Sequence, residues 1–344
     1  MVIIPIASCR VNETMTDGMV EPRASIIIRS SGERTEQACK NLILEQGIPA
    51  ENLFVLREAP FSKALRKSLE LGLERGLKWT LCNDADVLLR PAAVKTMLAL
   101  AEQQEEQIFE VQGFILDKFL GGPRNGGIHL YRTSLLPKAL ENIQLEAGNI
   151  RPEFHTLKAM AALGHPWKTV PYLVGIHDFE QYYLDIFRKC FIHAHKHADM
   201  AELFLSFWRE KAGSDRDYAV ALHGFASGVE HTGDVSIDSG LDMYQALFSE
   251  YHLQEKHALD PAACSLAEVE QTIENWAEPP LYKKLYPDKF GLVSLAKGEI
   301  SEKQRISQLA ADLGIIKLIL YAIGAALKKA GKWLQERVSP AGGS

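Results

Sequence analysis

The chain has 344 residues, 47% of them hydrophobic and 24% charged, with a formal net charge of −6. That length holds one large α/β domain with an appendage, or two ordinary domains, and the composition is that of a globular protein. The acidic balance lacks the basic footprint of nucleic-acid binding, so no nucleic-acid partner is expected.

The opening Met1–Ile6 run is too short for a signal-peptide core, and no basic residues precede it. Ser25–Arg29 is a β-branched run bounded by turn residues and reads as a buried strand. Ser30-Ser31-Gly32 is a turn, and Glu33–Gln46 carries helical spacing that stops at Gly47. Leu53–Leu56 reads as a second strand. Ser62–Arg75 is a second helix, with Ser62 placed to cap it and Leu65, Leu69 and Leu73 on one face. Trp79–Cys82 is a third strand that runs into Asn83-Asp84-Ala85-Asp86, and a helix starts near Pro91. The alternation predicts an α/β, doubly wound, mostly parallel sheet whose ligands sit at the carboxyl ends of the strands.

Phe109–Leu116 and Ile128–Tyr131 read as strands around a glycine-rich loop at 121–127. Phe154–Leu163 is helical, Thr169–Ile176 is a strand, and Tyr182–Trp208 is helix-rich. Helices are also expected near Leu241–Tyr251 and Leu266–Trp276, but 215–300 is otherwise ambiguous. The five cysteines are scattered and form no CxxC pair, which argues against a disulfide framework and for a reducing, cytoplasmic compartment. Residues 301–344 hold seven Lys/Arg against three Asp/Glu, leaving a net charge of −10 on the remainder. The apolar, basic stretch Leu313–Leu334 reads as an amphipathic helix, suited either to the inner face of an anionic membrane or to packing against protein. No segment reaches the roughly 18 apolar residues of a spanning helix.

The feature with most chemical content is Asp84-Ala85-Asp86. Two carboxylates two residues apart on a turn can converge on a hard divalent cation, which would also neutralise phosphate oxygens of a substrate. The plain alternative is local turn chemistry, with Asp84 bonding nearby backbone.

From Ser25 to about Asp178 the chain resembles the GT-A-fold glycosyltransferases, and most of all their large inverting family 2. The resemblance is carried by Ala24–Arg29, similar to the family's opening nucleotide-binding strand, by Leu65-Arg66-Lys67, and by Leu81–Leu88 as the DxD strand and loop. It implies a Rossmann-like GT-A core with Mn²⁺ or Mg²⁺ held by Asp86, Asp84 and His177, a late histidine of the kind that completes such shells. It also implies a nucleotide-sugar donor contacted by Glu58, Asp84, Gly126 and Gly127; Ser30 and Arg34 lie on the strand-end rim, and the guanidinium forks of Arg34, Arg66 and Arg124 suit a diphosphate or an anionic acceptor. Glu58 stands where the family has an Asp for the uracil or ribose, but within Arg57-Glu58-Ala59-Pro60 in place of the usual stretch. Arg151-Pro152-Glu153 resembles the family's xED motif. That makes Glu153 the implied base for the acceptor hydroxyl, with Asp178 as its competitor. Each has a plainer reading: Glu153 as a first-turn acid, His177 as a hydrogen-bonded strand end, and the glycines as an ordinary loop. His193, His195 and His197 share a face only in an extended segment, and a helix would spread them over about 200° of arc.

Together these readings predict a catalytic core over 1–180, a helix-rich acceptor-side extension over 181–300 and a basic C-terminal helix over 301–344. The expected activity is transfer of a sugar, most simply UDP-linked, to a glycan or lipid-linked acceptor. The rivals are a nucleotidyltransferase of the same fold, for which Ser30–Arg34 is a poor phosphate loop, and a noncatalytic glycan- or nucleotide-binding scaffold.

Overall fold

The computed structural model describes residues 23–143, 151–233, 235, 239–289, 291–305 and 307. The described residues from 23 to 297 belong to one compact unit. The expected helix over Leu313–Leu334 lies outside the described residues. No described helix is long and apolar enough to cross a membrane.

In this unit, β1 (Ala24–Ser30) is buried along its whole length, as its β-branched run requires. The chain continues through α1 (Glu36–Leu44), β2 (Leu53–Arg57) and α2 (Phe61–Arg75). Helix α2 buries Leu65 and Leu69 and ends at Gly76 with φ 64°, while Ser62 lies inside its first turn and makes no cap. β3 (Trp79–Asp84) runs two residues past the expected strand, so Asp84 is its last residue. Only Ala85 and Asp86 separate it from β4 (Val87–Leu89). Then follow α3 (Ala93–Glu102), β5 (Glu110–Asp117), β6 (Gly122–Arg124), β7 (Ile128–Arg132), α4 (Leu136–Leu140), α5 (Pro152–Ala162) and β8 (Trp167–His177).

The strands build one sheet in the order β2-β1-β3-β7-β5-β8-β4, with β6 beside β5. The α/β architecture is as expected, but the sheet is mixed. Parallel pairing is confined to β1 with β2 and β3, and to β5 with β8. β7 runs antiparallel to both β3 and β5. The links from β5 through β6 to β7 are too short for a parallel crossover, which explains the reversal. Strands β3, β5 and β8 therefore point the same way, and their carboxyl ends share one rim. A flat sheet would set β3 and β4 about 19 Å apart across four strand spacings. The two-residue link permits at most about 11 Å between Asp84 and Val87. The sheet must curl at this link.

Beyond β8 the chain is helical: α6 (Tyr183–Lys196), α7 (Ala201–Lys211), α8 (Arg216–Glu230), α9 (Leu241–Glu250), α10 (Leu266–Asn275), α11 (Pro280–Leu285) and α12 (Leu292–Ala296). An aromatic core of Phe119, Phe187, Phe191, Phe204, Trp208, Tyr218 and Phe225 joins α6, α7 and α8 to the segment after β5. The Trp208 indole nitrogen anchors this core by donating to the Phe119 carbonyl at 2.7 Å. Val269, Ile273 and Val293 of α10 and α12 instead join the sheet core.

Candidate functional site

Four strand ends build the rim: Arg29 and Ser30 from β1, Asp84 from β3, Asp117 from β5 and His177 from β8. Sheet register pairs Arg29 with Asp84, Asp117 with His177, and Val87 with His177. Two glycines make this possible. A Cβ at Gly175 would lie 2.2 Å from the Leu88 carbonyl, so only glycine lets β4 close on β8 and carry Asp86 toward His177. Gly127 has φ 77°, and a Cβ there would lie 2.6 Å from Val87; its carbonyl accepts the Asp84 N–H at 2.8 Å.

On one side of the acidic turn lies a buried chain of ion pairs. The Arg29 guanidinium reaches Asp84 Oδ1 at 2.8 Å and Glu153 Oε1 at 2.7 Å. Glu153 Oε1 also accepts the Tyr131 hydroxyl, and Glu153 Oε2 lies 2.9 Å from His129 Nε2. His129 Nδ1 in turn meets Glu110 Oε1 at 2.5 Å. Burial disfavours charge on Glu153, but Arg29 and His129 outweigh it and hold the carboxyl well below its usual range. Burial likewise opposes charge on His129, and Glu153 with Glu110 overcome it, pushing the pKa up to about 10.

On the other side, Asp86, His177 and Asp178 each offer a ligand atom to one point, all within 4.8 Å of one another. The ammonium of Lys189 on α6 sits among them, 2.9 Å from Asp86 Oδ2, hydrogen-bonded to Asp178 Oδ1 and 3.4 Å from His177 Nε2. Behind them His177 Nδ1 lies 3.0 Å from Asp117 Oδ2, which also pairs with Arg124. Asp117 Oδ1 is fixed by the N–H groups of Phe119 and Leu120 at 2.9 and 2.8 Å. Burial raises the Asp86 pKa, but Lys189 and His177 prevail and hold it well below the usual range. Asp84 goes the opposite way: burial pushes it up, Arg29 opposes, and Asp86 and Glu153 add repulsion. Burial lowers the His177 pKa, yet Asp178 and Asp86 push it up to about 10.

These residues suit a hard divalent cation. Asp86 Oδ1 is buried without a hydrogen-bond partner, and Asp178 Oδ2 makes no hydrogen bond although it lies 2.9 Å from His177 Nδ1. Asp178 is held in the left-handed region at φ 68°, a conformation that a structure maintains only under local constraint. Two carboxylates with spare oxygens, and the His177 imidazole once it gives up a proton, match the ligand chemistry of Mn²⁺ or Mg²⁺.

The remaining expected contacts are distributed as follows. Asp84 turns toward Arg29, outside the converging trio, with its side chain about 30% exposed. Gly126 and Gly127 border Arg124 and His177. Ser30 donates to Glu33, and the Ser31 N–H and hydroxyl reach the same carboxylate at 2.8 and 2.7 Å. The turn after β1 is thus wrapped around an acid of its own, which leaves no cradle for a phosphate and counts against the nucleotidyltransferase loop. Arg34 pairs with Glu180 at 2.6 Å and donates to the His257 carbonyl. Glu58 pairs with Lys67, and Arg66 reaches the Leu140 carbonyl at 3.3 Å, both away from the trio. His193 and His195 lie on α6 and His197 at its C-cap, none of them in the cation group.

Sequence reading missed Lys189, Asp117, Arg29, His129 and Glu110. For Arg29 a signal existed: a charge at the end of a buried strand must find a counter-charge. It also missed Asp185, one turn before Lys189, whose pKa burial and Glu33 push up to about 6.

No family model and no curated protein matches the sequence. Solved structures with a similar arrangement include a mannosyltransferase from Pyrobaculum calidifontis in complex with GDP-Man and Mn²⁺. It is 13% identical, over 82% of this chain and 87% of that one, with a TM-score of 0.36. A glycosyltransferase involved in glycosylation of the major capsid of PBCV-1 is 16% identical over 46% and 83%, with a TM-score of 0.31. A 4-diphosphocytidyl-2C-methyl-D-erythritol synthase from Anaerococcus prevotii is 9% identical over 45% and 89%, with a TM-score of 0.32. At these values the likenesses carry no weight for activity, which has to be read from the side chains.

Proposed function

We propose that the chain is a metal-dependent glycosyltransferase that moves a sugar from a nucleotide-sugar, UDP-linked in the simplest case, to a glycan or lipid-linked acceptor. The observation that carries this reading is the convergence of Asp86, His177 and Asp178 at the carboxyl ends of the strands, two of them with unsatisfied oxygens.

In this reading Asp86, His177 and Asp178 hold Mn²⁺ or Mg²⁺. Once bound, the cation supplies neutralisation of the charge that develops on the departing diphosphate. Asp117 fixes the His177 ring through Nδ1, the support that orients a ligating imidazole. Asp84, steadied by Arg29, keeps a partly exposed carboxylate for a ribose hydroxyl or a metal-bound water. Gly126 and Gly127 give the donor sugar close access to backbone. Glu153 takes a proton from the acceptor only if Arg29 or His129 lets go of it, because both its oxygens are engaged and its pKa is depressed. In the described arrangement it anchors the Arg29–Asp84 pair, so the inverting course belongs to the family resemblance alone.

The test is nucleotide release from UDP-, GDP-, CMP- and TDP-sugars, with Mn²⁺ or with chelator, for wild type and Asp86→Ala. The expected result is metal-dependent release from one donor class that disappears in the variant. If no donor is cleaved and none raises the melting temperature, the transferase reading falls.

A further inference from the structure

We propose that Lys189 is a tethered counter-cation: its ammonium occupies the acidic site when no metal is bound and must leave before a divalent cation can enter. This inference rests on reading Asp86, His177 and Asp178 as the cation site.

Geometry comes first. The Lys189 nitrogen lies within hydrogen-bond distance of Asp86 and Asp178 and 3.4 Å from His177 Nε2, so it faces all three candidate ligands at once. A small divalent cation needs oxygen ligands at about 2.0–2.2 Å. It would have to bind the same two carboxylates, Asp86 and Asp178, that the ammonium now holds. Two cations cannot share these carboxylates at close range without strong repulsion.

Charge balance points the same way. Asp86, Asp117 and Asp178 face Lys189 and Arg124, with His177 between them. Without Lys189, three buried carboxylates would face only Arg124 and the His177 ring, a costly arrangement. The ammonium therefore stabilises the site while it is empty of metal. The exit is also available. Lys189 is 27% exposed on a flexible four-carbon stem. Its helix need not move: α6 is pinned to α8, where Gly224 and Gly228 admit the carbonyls of Phe187 and Phe191. Swinging the side chain out requires only rotamer changes.

The experiment is equilibrium Mn²⁺ titration of the full chain, following free Mn²⁺ by electron paramagnetic resonance with no nucleotide present. Lys189→Met and Lys189→Gln remove the charge and are expected to bind Mn²⁺ about tenfold more tightly than wild type, or better. Lys189→Arg keeps the charge and should stay near wild type, and Asp86→Asn should lose binding. Equal or weaker binding by the neutral variants overturns the proposal while leaving the cation site intact. Absence of Mn²⁺ binding in every form overturns both the proposal and the cation-site reading. Should the neutral variants fold only with metal, Mn²⁺-dependent recovery of the far-ultraviolet circular dichroism signal supports the competition, and failure to recover overturns it.

Discussion

The two sides of the Asp84–Asp86 turn use the same kinds of residue for different ends. On the Arg29 side every charge has a partner in fixed geometry: Asp84, Arg29, Glu153, His129 and Glu110 form one closed chain. On the Lys189 side charges also balance, but the balance uses one flexible, partly exposed lysine; buried carboxylate oxygens without a hydrogen bond occur on both sides, Glu110 Oε2 on the first and Asp86 Oδ1 and Asp178 Oδ2 on the second. The first is built to stay; in the proposed reading the second exchanges one cation for another. The lesson is that a pair of carboxylates two residues apart need not act together. The sheet sends one to each side, and burial with neighbouring charge drives their pKa values apart.

Breaking the closed side should give the largest effect. Glu153→Gln strands Arg29 and His129 without their shared anion and should lower unfolding free energy by about 3–5 kcal/mol, read from urea denaturation. If stability is unchanged while turnover collapses, Glu153 is a base and not an anchor. Breaking the exchanging side should do the reverse. Asp86→Asn is expected to cut Mn²⁺-dependent nucleotide release about a hundredfold or more while the urea midpoint moves little.

A pH titration sharpens the contrast by a smaller amount. His129 has its folded pKa raised to about 10 against about 6.5 unfolded, so its stabilisation is fully present below pH 6.5 and is lost as pH rises toward 10. Replacing it by Gln should make the alkaline decline in stability shallower by about one proton, or 1.4 kcal/mol per pH unit, between pH 7 and 9.5. An unchanged slope would mean that His129 is neutral in the folded protein. The smallest effect belongs to Glu58→Gln. Its partner Lys67 is solvent-exposed, so the urea midpoint should stay where it is and donor use should change by less than threefold if Glu58 touches no donor. A larger loss of donor affinity would restore the nucleobase role that the family resemblance implies.

Much of this molecule was readable before its structure. The strands over Ser25–Arg29, Trp79–Cys82 and Thr169–Ile176 are dense β-branched or aromatic runs, and the residues at or just beyond their ends are those that meet at the rim. Asp86 and His177 were singled out as metal ligands, with Asp84, through the DxD motif and the family resemblance, and Asp178 as a competing base. What could not be read were partnerships across the sheet. Asp117 matters because β5 pairs in register with β8, and His129 because β7 lies between β5 and β3. Nothing local in either stretch encodes that. Lys189 sits on a helix whose face toward the site depends on how α6 packs on α8. Helix α8 itself escaped notice because its buried stripe is built of small residues, Ala221, Gly224 and Gly228 beside Tyr218 and Phe225, which weakens the apolar period.

The two-residue link between β3 and β4 acts as a ruler. It is short enough to force the curl of the sheet, and the residue at its far end is Asp86. Curvature and ligand spacing are therefore one variable in this chain. Lengthening the link by a single glycine after Ala85 would let β4 drift outward and pull Asp86 from His177 with no change to any ligand's identity. The same dependence restricts what can be grafted here: another loop bearing the same two acids would reproduce the motif but not the site, unless it also matched this length.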